Sequence, residues 1–186
     1  MYTNKCYIVD FEDSFTYNIA CELNAFLKNI EVVHYETFFR RDIIFSELTG
    51  IILGPGPGHP NEYKKYYRKI ESLLENKNII LMGICLGHQL ICDILGFEIL
   101  TSMNIVHGES CIVDFYGQKE IVQRYNSLAV YNSKHLDLKH FSYSSFFDHE
   151  LMILEGDRFF SLQFHPESIG TKNPVRFFRH FVCKFS

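Results

Sequence analysis

Cys85 sits between two glycines in Gly83-Ile84-Cys85-Leu86-Gly87, where an apolar run meets a helical pattern. G-x-C-x-G is the thiol counterpart of the G-x-S-x-G nucleophile elbow. The glycines relieve crowding in a sharp turn that holds the central residue in a strained backbone conformation. The side chain then stands clear of the strand, at the N-terminus of the next helix. There the helix dipole and free N–H groups favour the thiolate, which is the attacking species. The N–H of Leu86 is a candidate oxyanion donor for a tetrahedral intermediate. By itself the string describes a buried cysteine in a tight turn almost as well, so the rest of the chain decides.

A thiol nucleophile needs a base, and the base an orienting group. Phe160 to His165 alternates apolar and polar residues like a half-buried strand. In an extended segment His165 and Glu167 point to the same side, and Pro166 keeps the stretch out of any helix. Glu167 is thus placed to orient an imidazole directed at Cys85. The loop Gly54-Pro55-Gly56-Pro57-Gly58-His59-Pro60 holds three of the chain's 11 glycines and three of its 5 prolines. A plain surface turn needs one Gly-Pro unit; this loop is rigid, and its glycines admit a ligand close to the backbone. Gly56 N–H is a candidate second oxyanion donor, opposite Leu86. The loop lacks the Gly-Lys-Ser/Thr ending of a Walker A string, which disfavours phosphate.

The elements that must position these groups alternate in the first half. Cys6 to Asp10, Ile30 to Tyr35, Gly50 to Leu53 and Ile79 to Met82 read as buried strands. After Ser14, Phe15, Ile19, Leu23 and Phe26/Leu27 recur at helical spacing. Glu62 to Leu74 and Leu86 to Leu95 are further helices, the second capped by Gly96. This order predicts a mainly parallel sheet with helices on both faces. From Gly108 to Leu162 the chain is richer in β-branched and aromatic residues, with turns near Tyr116-Gly117 and Glu155-Gly156-Asp157. Short, partly antiparallel strands added to the same sheet are expected there. A closing helix after Asn173-Pro174 presents Phe178, Phe181, Val182 and Phe185 inward.

Composition sets the bounds. With 186 residues, 47% of them hydrophobic, the chain can build one sizeable core but not two comfortable domains. A net charge of -4 gives no reason to expect nucleic acid. The one basic cluster, Lys64, Lys65, Arg68 and Lys69, reads as a solvated helix face. No apolar stretch reaches the roughly 20 residues of a membrane span, and residues 1–12 lack a signal-peptide pattern. With no CxxC pair, the six cysteines fit a cytoplasmic protein whose thiols are mostly reduced core residues. The nine histidines are scattered, and the close pair His135 and His140 has no cysteine or carboxylate set around it. Neither a metal nor another cofactor is expected.

Three strings in this order, GPGPGHP (54–60), GICLGHQ (83–89) and QFHPES (163–168), resemble the oxyanion loop, nucleophile elbow and His-x-Glu segment of class I glutamine amidotransferases. DSFTYN (13–18), His107-Gly108 and RYNSL (124–128) are similar to the glutamine-hydrolysing component of anthranilate and aminodeoxychorismate synthases. The resemblance runs from Tyr7 to Phe181. It implies one flavodoxin-like amidotransferase domain over residues 1–186, with a Cys85–His165–Glu167 triad. It also implies an oxyanion hole from the backbone of Gly56 and Leu86, and substrate contacts at Gly58, Gln89, Ser127 and Leu128. Glutamine is the implied substrate, and a chorismate-binding synthase subunit the implied protein partner and ammonia acceptor. Which of the two pathways is served stays open. A stand-alone γ-glutamyl hydrolase and a non-catalytic regulatory subunit of the same fold are the alternatives. The related components usually read H-G-K and R-Y-H-S-L where this chain has Glu109 and Asn126. These departures predict altered coupling to the partner, with hydrolysis intact. The region from Tyr131 to Asp148 matches weakly, and Phe141 to Phe147 reads only as packing.

Overall fold

The computed structural model describes residues 2–43, 45–133 and 136–185; His135 of the histidine pair lies outside them. In chain order the first half comprises β1 (Tyr2–Asp10), α1 (Thr16–Leu23), β2 (Leu27–His34), α2 (Tyr35–Arg40), β3 (Thr49–Leu53), α3 (Tyr67–Glu75), β4 (Ile79–Ile84) and α4 (Leu86–Ile94). The second half comprises β5 (Glu98–Thr101), β6 (Glu109–Phe115), β7 (Gln118–Arg124), β8 (Leu128–Tyr131), β9 (Tyr143–Phe147), β10 (Glu150–Glu155), β11 (Phe159–Leu162) and α5 (Pro174–Val182). Seven strands form one sheet in the order β2-β1-β3-β4-β11-β10-β9. Pairing is parallel from β2 through β11 and antiparallel at β10 and β9.

The sheet is covered on both faces, which is why its central strands are apolar throughout. Along β1, Cys6 and Ile8 enter one core cluster with Ile19 and Leu23 of α1 and Phe178 and Phe181 of α5. Tyr7 and Val9 enter the other, with Phe38 of α2, Ile70 of α3 and Leu90 and Ile91 of α4. Every residue of β3 and β4 is buried. The chain leaves β1 to either side, toward β2 and toward β3, so a topological switch point lies at the carboxyl ends of β1 and β3.

Several expected boundaries move. The apolar spacing of α1 continues to Leu27 because Leu27, the first residue of β2, packs into the same cluster as Leu23; the helix itself ends at Leu23. The helix expected from Glu62 opens as a 3-10 turn, Pro60–Tyr66, capped by His59, and becomes α-helical only at Tyr67. The six-residue α2 was not foreseen; the His34 ring accepts from Glu36 N–H at 3.3 Å to start it. Asn173 occupies the N-cap of α5 without a side-chain capping bond.

The second half joins the sheet only in part. Strands β9 to β11 extend it, whereas β5–β8 and β6–β7 form two separate two-stranded sheets. The β6–β7 hairpin turns on Tyr116 and Gly117, both with positive φ (53° and 76°), as a two-residue primed turn requires. Its Val113, Phe115 and Val122 reach into the core while Ile112 and Ile121 face solvent, so it packs over the sheet as a flap. The cysteines are also less interior than composition implied. Cys6 and Cys92 are buried, but Cys21 and Cys183 are exposed and Cys85 and Cys111 half-buried. Lys64, Lys65, Arg68 and Lys69 are all exposed, as a solvated face.

Candidate active site

The elbow is built at the end of β4. Cys85 has φ 51° and ψ -100°, a conformation disfavoured for any side-chain-bearing residue. Its glycines are required by close approach. A Cβ on Gly83 would lie 2.7 Å from the carbonyl of Gly87, and one on Gly87 would lie 2.1 Å from the carbonyl oxygen of Leu53. Cys85 N–H donates to Leu162 O at 2.8 Å, which ties the elbow to the end of the adjacent strand β11. Leu86 opens α4, so the thiol stands at a helix N-terminus.

The glycine–proline loop leaves β3 beside it. Gly54 N–H donates to Val9 O at 3.1 Å. A Cβ on Gly56 would meet Phe11 Cβ at 2.5 Å and Leu86 Cδ2 at 2.7 Å, so Gly56 lies hard against the elbow. Gly58 has φ +79°. His59 N–H donates to Glu62 Oε1 at 2.7 Å, and Tyr63 hydroxyl to Pro57 O at 3.1 Å, holding the loop down from behind.

His165 arrives by a different local structure from the one its spacing implied. Strand β11 ends at Leu162; His165 forms an isolated bridge with Gln123, and Pro166 and Glu167 lie in a turn. The pair therefore meets across a turn and not along a strand. His165 Nδ1 is 2.7 Å from Glu167 Oε1, with both side chains buried. The imidazole is flanked by the rings of Phe15 and Tyr125, at 5.4 Å and 5.1 Å between centroids. Burial works against its charge, but the charge of Cys85 and hydrogen bonds to Cys85 and Glu167 prevail and hold its pKa well above the ordinary histidine value. Imidazole and carboxylate thus form a buried hydrogen-bonded pair.

Gly56, Gly58, Cys85, Gln89, Ser127 and Leu128 come together in one cleft of about 180 Å³, with Pro57, Tyr125 and Asn126 completing its wall. Leu86, His165 and Glu167 lie outside that lining. Gln89 Nε2 donates to Leu128 O at 3.0 Å and to Gln163 Oε1 at 3.2 Å. The carbonyl of Ser127 accepts from Ser102 N–H at 2.9 Å. Helical spacing gives Phe15 only a place on a helix face, and no site role follows from sequence for Phe15, Tyr125 or Gln163, although each lies inside one of the strings above. Among the described residues no group of three His, Cys, Asp or Glu side chains converges as metal ligands would, and no helix is long and apolar enough to cross a membrane.

A thiol elbow, a buried His–Glu pair and a glycine-lined cleft at the carboxyl ends of β3 and β4 in a flavodoxin-like sheet define a class of amide-hydrolysing α/β proteins. The chain matches glutamine amidotransferase class-I over residues 7–185 and belongs to that family; it is a glutamine amidotransferase. Anthranilate synthase component 2 of Archaeoglobus fulgidus is 31% identical over 184 residues, covering 94% of this chain and 95% of that protein. A candidate aminodeoxychorismate synthase of Schizosaccharomyces pombe is 31% identical over 190 residues, covering 94% of this chain and 26% of that protein. The solved structure of a glutamine amidotransferase from Thermotoga maritima superposes with a TM-score of 0.68 at 18% identity, covering 90% of this chain and 77% of that one. At that identity the likeness shows the fold.

Proposed function

We propose that residues 1–186 form a single amidotransferase domain that hydrolyses glutamine through a thioester on Cys85, and that its ammonia passes to a chorismate-using synthase subunit. The observation that carries the reading is the strained Cys85 at the start of α4, coupled to the buried His165–Glu167 pair. The Cys85 thiolate attacks the side-chain amide carbon of glutamine. The oxyanion that forms is held by the N–H groups of Gly56 and Leu86. Protonated His165 gives its proton to the departing nitrogen, the C–N bond breaks, and ammonia leaves a γ-glutamyl thioester. Water then attacks that thioester. His165 takes the water's proton, the C–S bond breaks, and glutamate is released with the thiolate restored. Glu167 keeps the imidazole oriented through both halves.

Gly58, Gln89, Ser127 and Leu128 hold the amino-acid end of glutamine. Both hydrogens of the Gln89 amide are committed to protein acceptors, so its Oε1 is the atom suited to the substrate ammonium. The relatives' names support a partnership with a chorismate-binding subunit, in anthranilate or aminodeoxychorismate synthesis, and the cytoplasm is the compartment proposed for it. A diazoketone analogue of glutamine should alkylate Cys85 and abolish glutamate release, and Cys85→Ala should remove both labelling and activity. An unlabelled parent chain, with or without a chorismate-binding subunit, would rule the reading out. Full glutamine hydrolysis by the isolated chain, unaltered by any such subunit, would instead favour a stand-alone hydrolase.

A further inference from the structure

Beneath the cleft a continuous line of buried side chains joins a salt bridge to the nucleophile. Glu150 is fully buried and pairs with Arg124, itself 2% exposed; Ser102 and Tyr131 hydroxyls donate to the other Glu150 oxygen at 2.5 Å and 3.1 Å. Arg124 Nε donates to Asn126 Oδ1 at 3.1 Å, and Asn126 Nδ2 to Leu128 O at 2.9 Å. Leu128 O also accepts from Gln89 Nε2, which in turn donates to Gln163 Oε1. Gln163 is fully buried, and its Nε2 lies 3.8 Å from Cys85 Sγ.

The direction of every bond in this line follows from its chemistry. A guanidinium only donates, so Asn126 must offer it oxygen and turn its NH₂ to Leu128. A backbone carbonyl only accepts, so Gln89 must also present its NH₂ there. The second hydrogen of that NH₂ then requires oxygen from Gln163. Gln163 is left with its own NH₂ facing sulfur. Side-chain amides are ordinarily ambiguous in orientation, but these are bracketed by groups with no choice. We infer that Gln163 is a further catalytic residue, whose amide donates to the Cys85 sulfur and stabilises the thiolate, and that the Leu128 carbonyl fixes this orientation through Gln89.

A donor on an anionic sulfur is charge-assisted and favours the thiolate over the thiol. Gln89, the amide that transmits the orientation, acts as a positioning residue. Together with Asn126 it saturates the Leu128 carbonyl, which withdraws that oxygen from substrate binding. The inference rests on Cys85 being the nucleophile, and the experiment separates the two claims.

The full chain is alkylated with iodoacetamide over a range of pH, and modification of each cysteine is followed by peptide mass spectrometry. The exposed Cys21 and Cys183 serve as internal standards. Gln163→Leu and Gln163→Met, close in volume and without a donor, should raise the midpoint for Cys85 by about one pH unit and leave the standards unmoved. Gln89→Met, which keeps Gln163 but removes the donor that fixes its oxygen, should move it in the same direction by less. Circular dichroism establishes that each variant is folded, and if the Gln163 variants do not fold, Gln89→Met decides. An unshifted Cys85 midpoint in a folded variant overturns the proposal. A parent chain that the diazoketone analogue fails to label at Cys85 overturns instead the assignment of the nucleophile.

Discussion

Nδ1 of His165 lies 2.7 Å from Oε1 of Glu167, and the second oxygen of that carboxylate is buried with no partner among the described residues. An ionised carboxylate so poorly solvated is held by the imidazolium beside it. Glu167→Gln keeps the shape but removes that charge. Glutamine-dependent glutamate release should fall on the order of 100-fold. The pH profile distinguishes orientation from mere packing. Glu167 is one of the groups raising the pKa of His165, so the limb that reports protonated His165 should move to lower pH in the variant.

The linkage of His165 to stability has a definite sign. Its folded pKa is raised, so its contribution is fully present below about pH 6.5, the unfolded value, and is lost as pH rises through the folded value. Urea unfolding of the parent should weaken over that alkaline interval. Cys85→Ala, which lacks a major raising partner, should complete the same loss at lower pH.

His88 behaves oppositely. It is fully buried, hydrogen-bonded to Ser161 Oγ and Leu151 O at 3.0 Å each, and burial lowers its pKa to about 3 against the partial opposition of the Leu151 carbonyl. The unfolded chain therefore binds the proton more readily, and stability is lost as pH falls from about 6.5 toward 3. His88→Asn should be less stable near neutrality by about 1–3 kcal/mol. That deficit should shrink by up to about 1.4 kcal/mol per pH unit of acidification across the interval. Parallel acid-unfolding curves would contradict this.

Two alanine substitutions should cost different amounts for different reasons. In Gly87→Ala the new methyl meets the Leu53 carbonyl, backbone that cannot swing aside. A destabilisation of about 3 kcal/mol or more is expected. Gly117→Ala, at φ +76° with nothing within 4 Å, carries only the left-handed penalty of about 1–2 kcal/mol. Urea denaturation of both variants tests the ordering.

Much of this was legible before any coordinates. The elbow, the glycine–proline loop and the His-x-Glu spacing are local patterns, and local steric rules carry them into the structure. His165 and Glu167 do share one side, but through a turn, because Pro166 restricts the backbone without dictating a strand. What sequence patterns could not convey was long-range pairing. That β5–β8 and β6–β7 form separate sheets depends on which edges are already occupied, and no alternation of residues encodes that. The Gln163 relay was invisible for a related reason, since the Gln89 amide, the Leu128 carbonyl and the Gln163 amide, in three segments, acquire meaning only where they meet.

The buried Glu150–Arg124 pair makes a further demand. Removing one partner leaves an uncompensated charge, and Glu150→Ala should cost about 3–5 kcal/mol. Replacing both residues by apolar ones of similar volume should recover most of that loss. The doubly substituted chain should keep its glutaminase activity per folded molecule, because the Leu128 carbonyl still orients Gln89 and Gln163. Thermal denaturation alongside glutamate release separates the two effects.

Strand β11 comes late in the chain yet lies in the middle of the sheet, between β4 and β10. Residues that emerge early from a ribosome must therefore wait with an open seam beside β4, and that seam closes only once β11 has been made. Cys85 is made long before His165. An unfinished chain that stops short of β11 would carry the proposed nucleophile without its proposed base, and should be silent until both have been synthesised and the seam has closed.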